Sequence, residues 1–472
     1  MLIKPDIPNL DKKGPQKSII LPPLGLEIIG TYIADIADVR IIDCILYEID
    51  INSLKDIIAE YCPDYVGISC CYTFQIEYTL KIARIAKELG AKTVLGGWHP
   101  SLVTEETLSS PYVDIIVRGE GELTFRELIK KNSPVGIKGL SYKEGGKQIH
   151  NEDRDLMDLR NLRIVDRSYR EINGKYFYHF FGFPIDCMEV SRGCPFSCDF
   201  CCIHNFYRHT YRKRSIKSVI KELKIMESHH NHSDFIYIVD DNFVVDYKYV
   251  MDLCDAIIEN GIKKYFFAQA RVDMIVNHPE VFKKMADAGF VLLFIGLESF
   301  SNQTLETINK QIKFQQIKAA IRIAHNFGYI IQGSVIIGAN LDDTPEDLAL
   351  NVKMIKNLDV DIPTFSLLTP FPGTKLMERV KEQDLLLSTD WSDYNWSKPI
   401  LKYKNLNPDD LYDYFSEAYN LREFKTIWKH IKQLIFGRGL KFHLSRLYSR
   451  NIHQKAPKFI KTTIRLLFNS GF

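Results

Sequence analysis

Three cysteines, Cys194, Cys198 and Cys201, lie in one short run with the spacing CxxxCxxC. Three thiolates can bind three irons of a cubane iron-sulfur cluster and leave the fourth iron open to a substrate, whereas a cluster that only transfers electrons normally takes four. The run contains no obvious fourth ligand, so it predicts chemistry at an open iron. The alternative is a zinc loop completed by His204 or His209, although neither histidine fits the usual spacing well.

The cysteine run follows the first strand of a predicted α/β unit. Apolar runs then alternate with amphipathic helices, and the predicted strands span residues 187–190, 235–239, 265–268, 291–295, 331–337 and 365–368. Six such repeats within about 200 residues are too few for a closed eight-stranded barrel. They predict a partial (β/α)6 barrel with its active site at the carboxyl ends of the strands.

The first 130 residues predict a Rossmann-like, doubly wound α/β layer. Its predicted strands lie near residues 1–4, 39–43, 65–70, 92–96 and 113–117, and its helices begin near Leu24, Ser53, Gln75, Glu105 and Thr124. Glycines follow two of these strands, where the backbone either approaches a large flat ligand or simply turns. Neither GxGxxG nor GxxxxGKS/T occurs, which disfavours dinucleotide and P-loop sites.

These patterns divide the chain into four parts: an α/β domain at 1–135, a β-hairpin and linker at 136–180, the partial barrel at 181–390 and a helical, basic region at 391–472. Its 46% hydrophobic content is ample for several buried cores. The ten cysteines lack a paired framework, which favours a reducing compartment. No signal sequence or bilayer-length apolar stretch occurs, so we expect a soluble, cytoplasmic protein.

The C-terminal tail carries most of the basic character. Residues 421–472 contain twelve Lys or Arg against the single acid Glu423, so the tail carries +11 and the first 420 residues carry −9. Apolar tail residues follow helical spacing, namely Phe424, Ile427, Trp428, Ile431, Leu434 and Ile435. This pattern predicts either an interfacial helix peripheral to the inner face of a membrane or a helix packed on the barrel with a solvated basic face. Nucleic acid is disfavoured because no stacking motif accompanies the charge.

Polar residues and glycines follow the predicted strands in order. Asp240, Asp241 and Asn242 end an apolar strand, which makes a solvated-surface explanation of the two acids difficult. Arg271 follows the third barrel strand, and the later strands lead into GLES at 296–299, GSVIIG at 333–338 and PFPGT at 370–374. The N-terminal unit carries PPLGLE at 22–27, GIS at 67–69, GGWHP at 96–100 and RGEGE at 118–122.

Through these motifs residues 1 to about 385 resemble the radical S-adenosylmethionine (SAM) enzymes, and within them the subgroup with an N-terminal cobalamin-binding domain. The resemblance implies that Cys194, Cys198 and Cys201 hold a 4Fe-4S cluster whose open iron binds SAM. Cys202 and Cys187 match no family ligand. The resemblance also implies that SAM is contacted by Phe200, Asp240, Asp241, Asn242, Arg271, Glu298 and Gly338.

The resemblance further implies cobalamin contacts in the N-terminal domain, at Ser69, Tyr72, Gly96, Gly97, Gly119, Glu120 and Gly121. One departure concerns the cobalt. The DxHxxG signature, whose histidine binds cobalt from below, is absent, as it commonly is in radical SAM members. His99 is expected to be a turn residue or a neighbour of the site, not a cobalt ligand.

The function implied by the resemblance is cobalamin-dependent C-methylation of an unactivated carbon in a small-molecule or lipid-like substrate. A one-electron donor such as flavodoxin or ferredoxin would reduce the cluster, and cleavage of SAM would generate a 5′-deoxyadenosyl radical. Two alternatives stay open: an oxidative cyclisation or rearrangement without methyl transfer, and a non-catalytic, zinc-binding, membrane-docking protein.

Overall fold

The structure is a computed structural model that describes residues 1–6, 21–172, 175–176, 178–180, 183–228, 233 and 235–420. The predicted basic helix of the tail lies outside the described residues, so its contact with a membrane stays a prediction. Among the described residues, no helix has both the length and the apolar character needed to cross a membrane.

The N-terminal sheet begins as five parallel strands in the order β2-β1-β3-β4-β5. The strands are β1 (Leu2–Lys4), β2 (Ile41–Asp43), β3 (Tyr65–Ser69), β4 (Lys92–Gly96) and β5 (Ile115–Val117). The helices are α1 (Leu24–Ile33), α2 (Ile51–Tyr61), α3 (Ile76–Glu88), α4 (Trp98–Leu102), α5 (Thr104–Ser109) and α6 (Glu122–Lys131). This is a doubly wound order, in which ligands bind at the carboxyl ends of the strands where the order reverses. The predicted Rossmann-like layer is confirmed.

The predicted hairpin extends this sheet. Its strands β6 (Leu140–Glu144) and β7 (Lys147–His150) pair antiparallel, and β6 also pairs antiparallel with β5. The N-terminal sheet therefore has seven strands and continues to His150. The turn residues Gly145 and Gly146 both have positive φ and predict the hairpin, but turn chemistry does not say which strand the hairpin joins.

The second large sheet is the predicted partial barrel. Six parallel strands follow the order β11-β14-β15-β16-β17-β18, with the short β10 antiparallel at one edge. The strands from residue 171 onward are β8 (Glu171–Ile172), β9 (Lys175–Tyr176), β10 (His179–Phe180), β11 (Phe183–Met188), β12 (Ser191–Arg192), β13 (Arg212–Lys213), β14 (Phe235–Ile238), β15 (Tyr265–Ala270), β16 (Phe290–Glu298), β17 (Ile330–Ile337) and β18 (Ile362–Leu367). Pairs β8–β9 and β12–β13 form two separate ribbons.

Helices follow the strands of the barrel sheet, and many of them pack on its outer face. They are α7 (Ile203–Phe206), α8 (Ile216–Ser228), α9 (Tyr247–Glu259), α10 (Val272–Asn277), α11 (Pro279–Ala288), α12 (Asn302–Thr307), α13 (Phe314–Asn326), α14 (Pro345–Asn357), α15 (Lys375–Glu382) and α16 (Pro408–Asn420). Outward residues of the strands, such as Ile295 and Ile331, pack with helix residues such as Met285 and Ile317 in one buried cluster. The carboxyl ends of the strands are where other α/β barrels place their active sites.

A buried network of charges ties the two units together. The Arg170 guanidinium donates from Nε and Nη2 to the two carboxylate oxygens of Glu27 in α1, both at 2.6 Å, and it also pairs with Asp186 in β11. Arg167 lies between Asp186 and Glu222, and Arg214 lies 2.5 Å from Glu222. All these side chains are buried, so each charge depends on its partners.

We predict that Arg170→Met lowers the free energy of unfolding by about 3–5 kcal/mol, because it leaves the carboxylate of Glu27 buried without its partner. Arg160→Met is the matched control, since Arg160 pairs with Asp158 at the solvent-exposed surface. Urea denaturation of the full chain under anaerobic conditions measures the effect. Equal midpoints for the two variants would show that the network adds no net stability.

Candidate active site

The three cysteines lie on the loop that leaves β11 and the short strand β12. Gly193 precedes Cys194 with a φ of +88°, and a Cβ there would lie 2.2 Å from the carbonyl oxygen of Thr210. Only glycine combines that backbone conformation with so close an approach. Cys198 is buried and the other two cysteines are half-buried, so the loop presents its sulfurs at the carboxyl end of the barrel.

Two neighbouring side chains direct N–H groups at these sulfurs. Asn242 Nδ2 lies 3.8 Å from Cys194 Sγ, and Arg271 Nη1 lies 3.8 Å from Cys198 Sγ. Burial raises the pKa of the Cys194 and Cys201 thiols. A buried thiol ionises when a metal centre and hydrogen-bond donors compensate its negative charge. The donors therefore fit sulfurs that bind metal as thiolates.

The arrangement of donors fits a cluster better than a single ion. Within the described ranges, no three His, Cys, Asp or Glu side chains converge on a point that could hold one metal ion. A zinc site needs its ligands around one ion, whereas each cysteine of a cubane cluster binds a different iron. His204 and His209 instead face each other, with ring centroids 5.0 Å apart.

The two aspartates that follow β14 hold the cysteine loop itself. Asp240 Oδ1 accepts the backbone N–H of Val190 at 2.8 Å, and its Oδ2 accepts the hydroxyl of Ser191 at 2.5 Å. Asp241 accepts the N–H of Gly193 at 3.2 Å, and burial raises its pKa to about 7. The structure thus places both acids against the loop backbone, and their contact with SAM stays a prediction.

Asn242 differs from these two aspartates because one of its polar atoms has no partner. Its Oδ1 is buried and accepts no hydrogen bond from the described part of the chain. Buried polar atoms in native proteins are almost always paired, so this oxygen is available to water or to a group that binds beside Cys194. An acceptor at this position fits the amino group of SAM.

Glu298 and Lys310 form a buried ion pair at the end of β16. Lys310 Nζ donates to Glu298 Oε1 at 2.6 Å, and Glu298 has a φ of +61°, which a non-glycine residue rarely adopts. A Cβ on Gly296 would lie 2.2 Å from Glu298 Oε1 and 2.6 Å from Lys310 Nζ. Burial lowers the pKa of Lys310, but Glu298 and Cys198 more than offset this and raise it above its ordinary value.

This pair lies close to the predicted SAM residues. Lys310 Nζ is 5.9 Å from the ring centroid of Phe200, and the guanidinium of Arg271 is 3.6 Å from that of Phe196. Arg271 Nη2 also donates to the carbonyl of Lys310 at 2.8 Å. The structure therefore brings Phe200, Asn242, Arg271 and Glu298 together around the cysteines. Sequence reasoning missed Lys310, which follows a short helix and carries no strand-end signal.

The packing around position 338 explains why a glycine is needed there. Its φ is +67°, the hydroxyl of Tyr403 donates to its carbonyl at 2.6 Å, and a Cβ would lie 2.7 Å from that hydroxyl oxygen. The close packing under Tyr403 accounts for a glycine at this position. A contact between Gly338 and SAM stays a prediction.

The carboxyl edge of the N-terminal sheet presents open backbone. Ser69 ends β3, Gly96 ends β4 and Gly119 follows β5. A Cβ on Gly119 would meet nothing within 4 Å, and one on Gly96 would meet nothing closer than 3.8 Å. Open glycines at the point where the strand order reverses fit a large flat ligand such as a corrin.

Other residues predicted to contact cobalamin pack inside the domain behind this edge. A Cβ on Gly97 would lie 2.6 Å from the carbonyl oxygen of Cys70, and one on Gly121 would lie 3.1 Å from Ile29. Both glycines therefore allow close packing inside the domain. The Tyr72 ring is partly exposed, stacks on Phe74 at 5.5 Å and meets Trp396 of the barrel region edge-on at 5.5 Å.

Glu120 turns away from this edge toward the cysteine loop. Arg192 donates to Glu120 at 2.8 Å, to Glu122 at 2.6 Å and to Glu189 at 2.8 Å. We call these four residues the Arg192 clamp. Burial raises the pKa of Glu120, but Arg192 and Arg212 lower it below its ordinary value. Sequence reasoning missed Arg192, although it lies two residues before Cys194.

The two carboxyl edges face each other. Besides the Arg192 clamp, the Trp98 ring of α4 stacks on Phe206 at 4.6 Å, just beyond the cysteines. His99 is buried and packs edge-on against Trp391 at 5.4 Å, and burial lowers its pKa to about 4. Its imidazole is thus neutral and enclosed by protein. These contacts bring the cysteine loop and the carboxyl edge of the N-terminal sheet together.

Two models of known protein families match separate parts of the chain. The family model described as the radical SAM superfamily matches residues 188–379. The family model described as the B12 binding domain matches residues 19–129. The first match contains the cysteine loop and the strands of the barrel, and the second contains the open glycine edge.

Several characterised and uncharacterised proteins are similar over most of the chain. An uncharacterized methyltransferase of Pyrococcus horikoshii is 34% identical over 84% of this chain and 87% of its own length. The anaerobic magnesium-protoporphyrin IX monomethyl ester cyclase of Cereibacter sphaeroides is 28% identical over 80% of this chain and 63% of its own. The hopanoid C-3 methylase of Methylococcus capsulatus is 26% identical over 75% and 68%.

Two solved structures share the fold. The radical SAM methyltransferase TsrM of Kitasatospora setae has a TM-score of 0.70 at 16% identity and covers 90% of this chain and 89% of its own. The cobalamin-dependent SAM radical enzyme OxsB has a TM-score of 0.70 at 19% identity and covers 95% and 75%. At these identities the likeness concerns the fold.

We predict that Gly193→Ala abolishes most cluster binding, because its Cβ would collide with the carbonyl oxygen of Thr210. Gly90→Ala is the matched control: Gly90 has the same φ of +88°, and a Cβ there meets nothing within 4 Å. Both variants carry a backbone strain of about 1–2 kcal/mol, and only Gly193→Ala adds the collision. Iron and sulfide analysis after anaerobic reconstitution measures the difference. Full iron content in Gly193→Ala would contradict the prediction.

Proposed function

This chain belongs to the cobalamin-dependent radical SAM enzymes, and from that premise we propose that it transfers a methyl group to an unactivated carbon of a small molecule. Its cofactors are a 4Fe-4S cluster, SAM and cobalamin. Enzymes of this kind need a reductant, and we propose a flavodoxin or ferredoxin as the one-electron donor.

When bound, the cluster and SAM supply a radical that removes a hydrogen atom, and cobalamin supplies a carrier for the methyl group. The chain's own residues hold and orient these groups. The cysteines bind the irons, Asn242 and Arg271 donate to the sulfurs, and Asn242 Oδ1 remains as a buried acceptor beside them. The aromatic contacts at Trp98 and Trp396 help to exclude water from the space between the domains.

One observation carries the proposal: the carboxyl ends of the strands in the N-terminal sheet and in the barrel sheet face each other and are joined by the Arg192 clamp. Methyl transfer through a second cofactor requires that both cofactors reach one substrate carbon. Buried ion pairs between Arg192 and Glu120 or Glu122 hold the cysteine loop against the glycine edge. This arrangement supports binding of SAM by Phe200, Asn242, Arg271 and Glu298, and of cobalamin by Ser69, Tyr72, Gly96 and Gly119.

The test uses the full chain, reconstituted anaerobically with iron, sulfide and cobalamin, and incubated with a reductant, methyl-deuterated SAM and a small-molecule cell extract. We expect 5′-deoxyadenosine and a carbon-bound deuterated methyl group, both detected by mass spectrometry. Cys198→Ala should abolish both products because it removes an iron ligand. Cys62→Ala, an exposed cysteine outside the site, is the control and should retain both.

The same experiment separates the alternatives. Deoxyadenosine without a transferred label would indicate a cyclisation or rearrangement, as the similarity to the cyclase of Cereibacter sphaeroides would then suggest. Absence of deoxyadenosine from a reduced, iron-loaded chain would contradict radical chemistry altogether.

A further inference from the structure

The strands β15 to β18 present one face toward the inside of the barrel, which we call the inner wall. It extends from the Glu298–Lys310 pair toward the base of the barrel. Residues that are partly exposed on this wall alternate with buried residues such as Ile295, Ile331 and Val335, which pack against the outer helices. Gly296 belongs to the wall and lies beneath the ion pair. The wall residues below this mouth are Gln269, Phe294, Gln332, Ser334, Thr364 and Ser366.

Strand register groups these side chains into rows. Gln269, Phe294 and Gln332 are register partners on β15, β16 and β17, so two amides flank one phenyl ring. Ser334 and Thr364 are partners in the next row toward the mouth, beside Gly296. Phe267, Leu292 and Ile330 form the row on the other side, deeper in the barrel. The wall is therefore apolar at its base and polar, with no ionisable side chain, in its middle rows.

The polar groups of the middle rows are largely unpaired. Gln269 Nε2 donates to the hydroxyl of Tyr237 at 3.1 Å, which leaves its Oε1 available. Gln332, Ser334 and Ser366 make no side-chain hydrogen bond to any described residue, and each is partly exposed to the space inside the barrel. The Gln332 amide offers donors and an acceptor, and Gln269 offers its oxygen, so the wall suits both hydroxyl and carbonyl groups.

We propose that the part of the substrate inside the barrel is an uncharged, mainly apolar, ring-bearing skeleton that carries a hydroxyl or carbonyl oxygen, bound by Gln332 and Gln269 on either side of Phe294. This rests on the proposed function and names its substrate class. A buried carboxylate or phosphate would lack a compensating charge on this wall, and desolvation therefore disfavours it strongly. A ring can lie on Phe294, and an oxygen can pair with an otherwise unpaired amide.

The corrin of cobalamin carries neutral amides, and the adenosine of SAM carries a ring and hydroxyl groups, so each cofactor is another source of the same chemistry. The wall belongs to the barrel strands inward of the Glu298–Lys310 pair, whereas the open glycines end β4 and follow β5 in the first sheet. We assign the wall to the substrate. Separate measurements of cobalamin, SAM and probe binding distinguish the three sources.

The experiment measures equilibrium binding to the full, cluster-loaded chain without turnover. The probes are a hydroxylated hopanoid, which is uncharged and polycyclic, and magnesium-protoporphyrin IX monomethyl ester, which carries a free carboxylate. We expect the hopanoid to bind at least about tenfold more tightly than the porphyrin. Gln332→Glu should weaken hopanoid binding about tenfold or more, because it places a charge against the apolar skeleton. Gln383→Glu, the same change at an exposed position, is the control.

Gln332→Met retains the volume of the side chain and removes its hydrogen bonds, so it serves if Gln332→Glu fails to fold. Weaker hopanoid binding by Gln332→Met, with cobalamin affinity, SAM affinity and iron content equal to those of the parent, supports the proposal. Absence of hopanoid binding, tighter binding of the porphyrin, or a loss of cobalamin or SAM affinity in Gln332→Met overturns it. Because no SAM cleavage is measured, failure here is distinct from failure of methyl transfer.

Discussion

Arg192 and its three carboxylates are the constraint on which the rest of the site depends. The guanidinium is buried and contacts Glu120 and Glu122 of the N-terminal unit together with Glu189 of the barrel. A charge removed from water in this way is stable only when its partners are in place, so the two units can close in essentially one arrangement. Because Arg192 lies two residues before Cys194, that arrangement also fixes where the three cysteines lie relative to the glycine edge.

The polar residues around the cysteines divide into two groups by what they contact. Asp240 and Asp241 accept hydrogen bonds from backbone N–H groups and from a hydroxyl of the loop, and these bonds hold the loop in its conformation. Asn242 and Arg271 contact the sulfurs themselves. Glu298 and Gly296 act with this second group. The left-handed φ of Glu298 and the absence of a Cβ on Gly296 allow the ion pair between Glu298 and Lys310 to form close to the cysteines.

On the strands from β15 to β18, the charged side chains that the site uses lie at the mouth. Glu298, Lys310 and Arg271 are near the cysteines there. The wall below them is neutral, and its base is apolar. On our proposal, the charged mouth suits a charged cofactor and the neutral wall suits an uncharged skeleton, because burying a charge against that wall would cost free energy.

The sequence by itself determined both α/β units, nearly every parallel strand and the spacing of the three cysteines, because these depend on local spacing and on periodicity along one segment. Only the tertiary structure decided the partners of each polar group. Arg192 meets Glu120 across 72 residues, the 140–150 hairpin joins the first sheet, and Lys310 reaches Glu298 from a turn with no signal of its own. Composition and periodicity show that such groups exist, but a buried charge finds its partner only when the chain has closed around it.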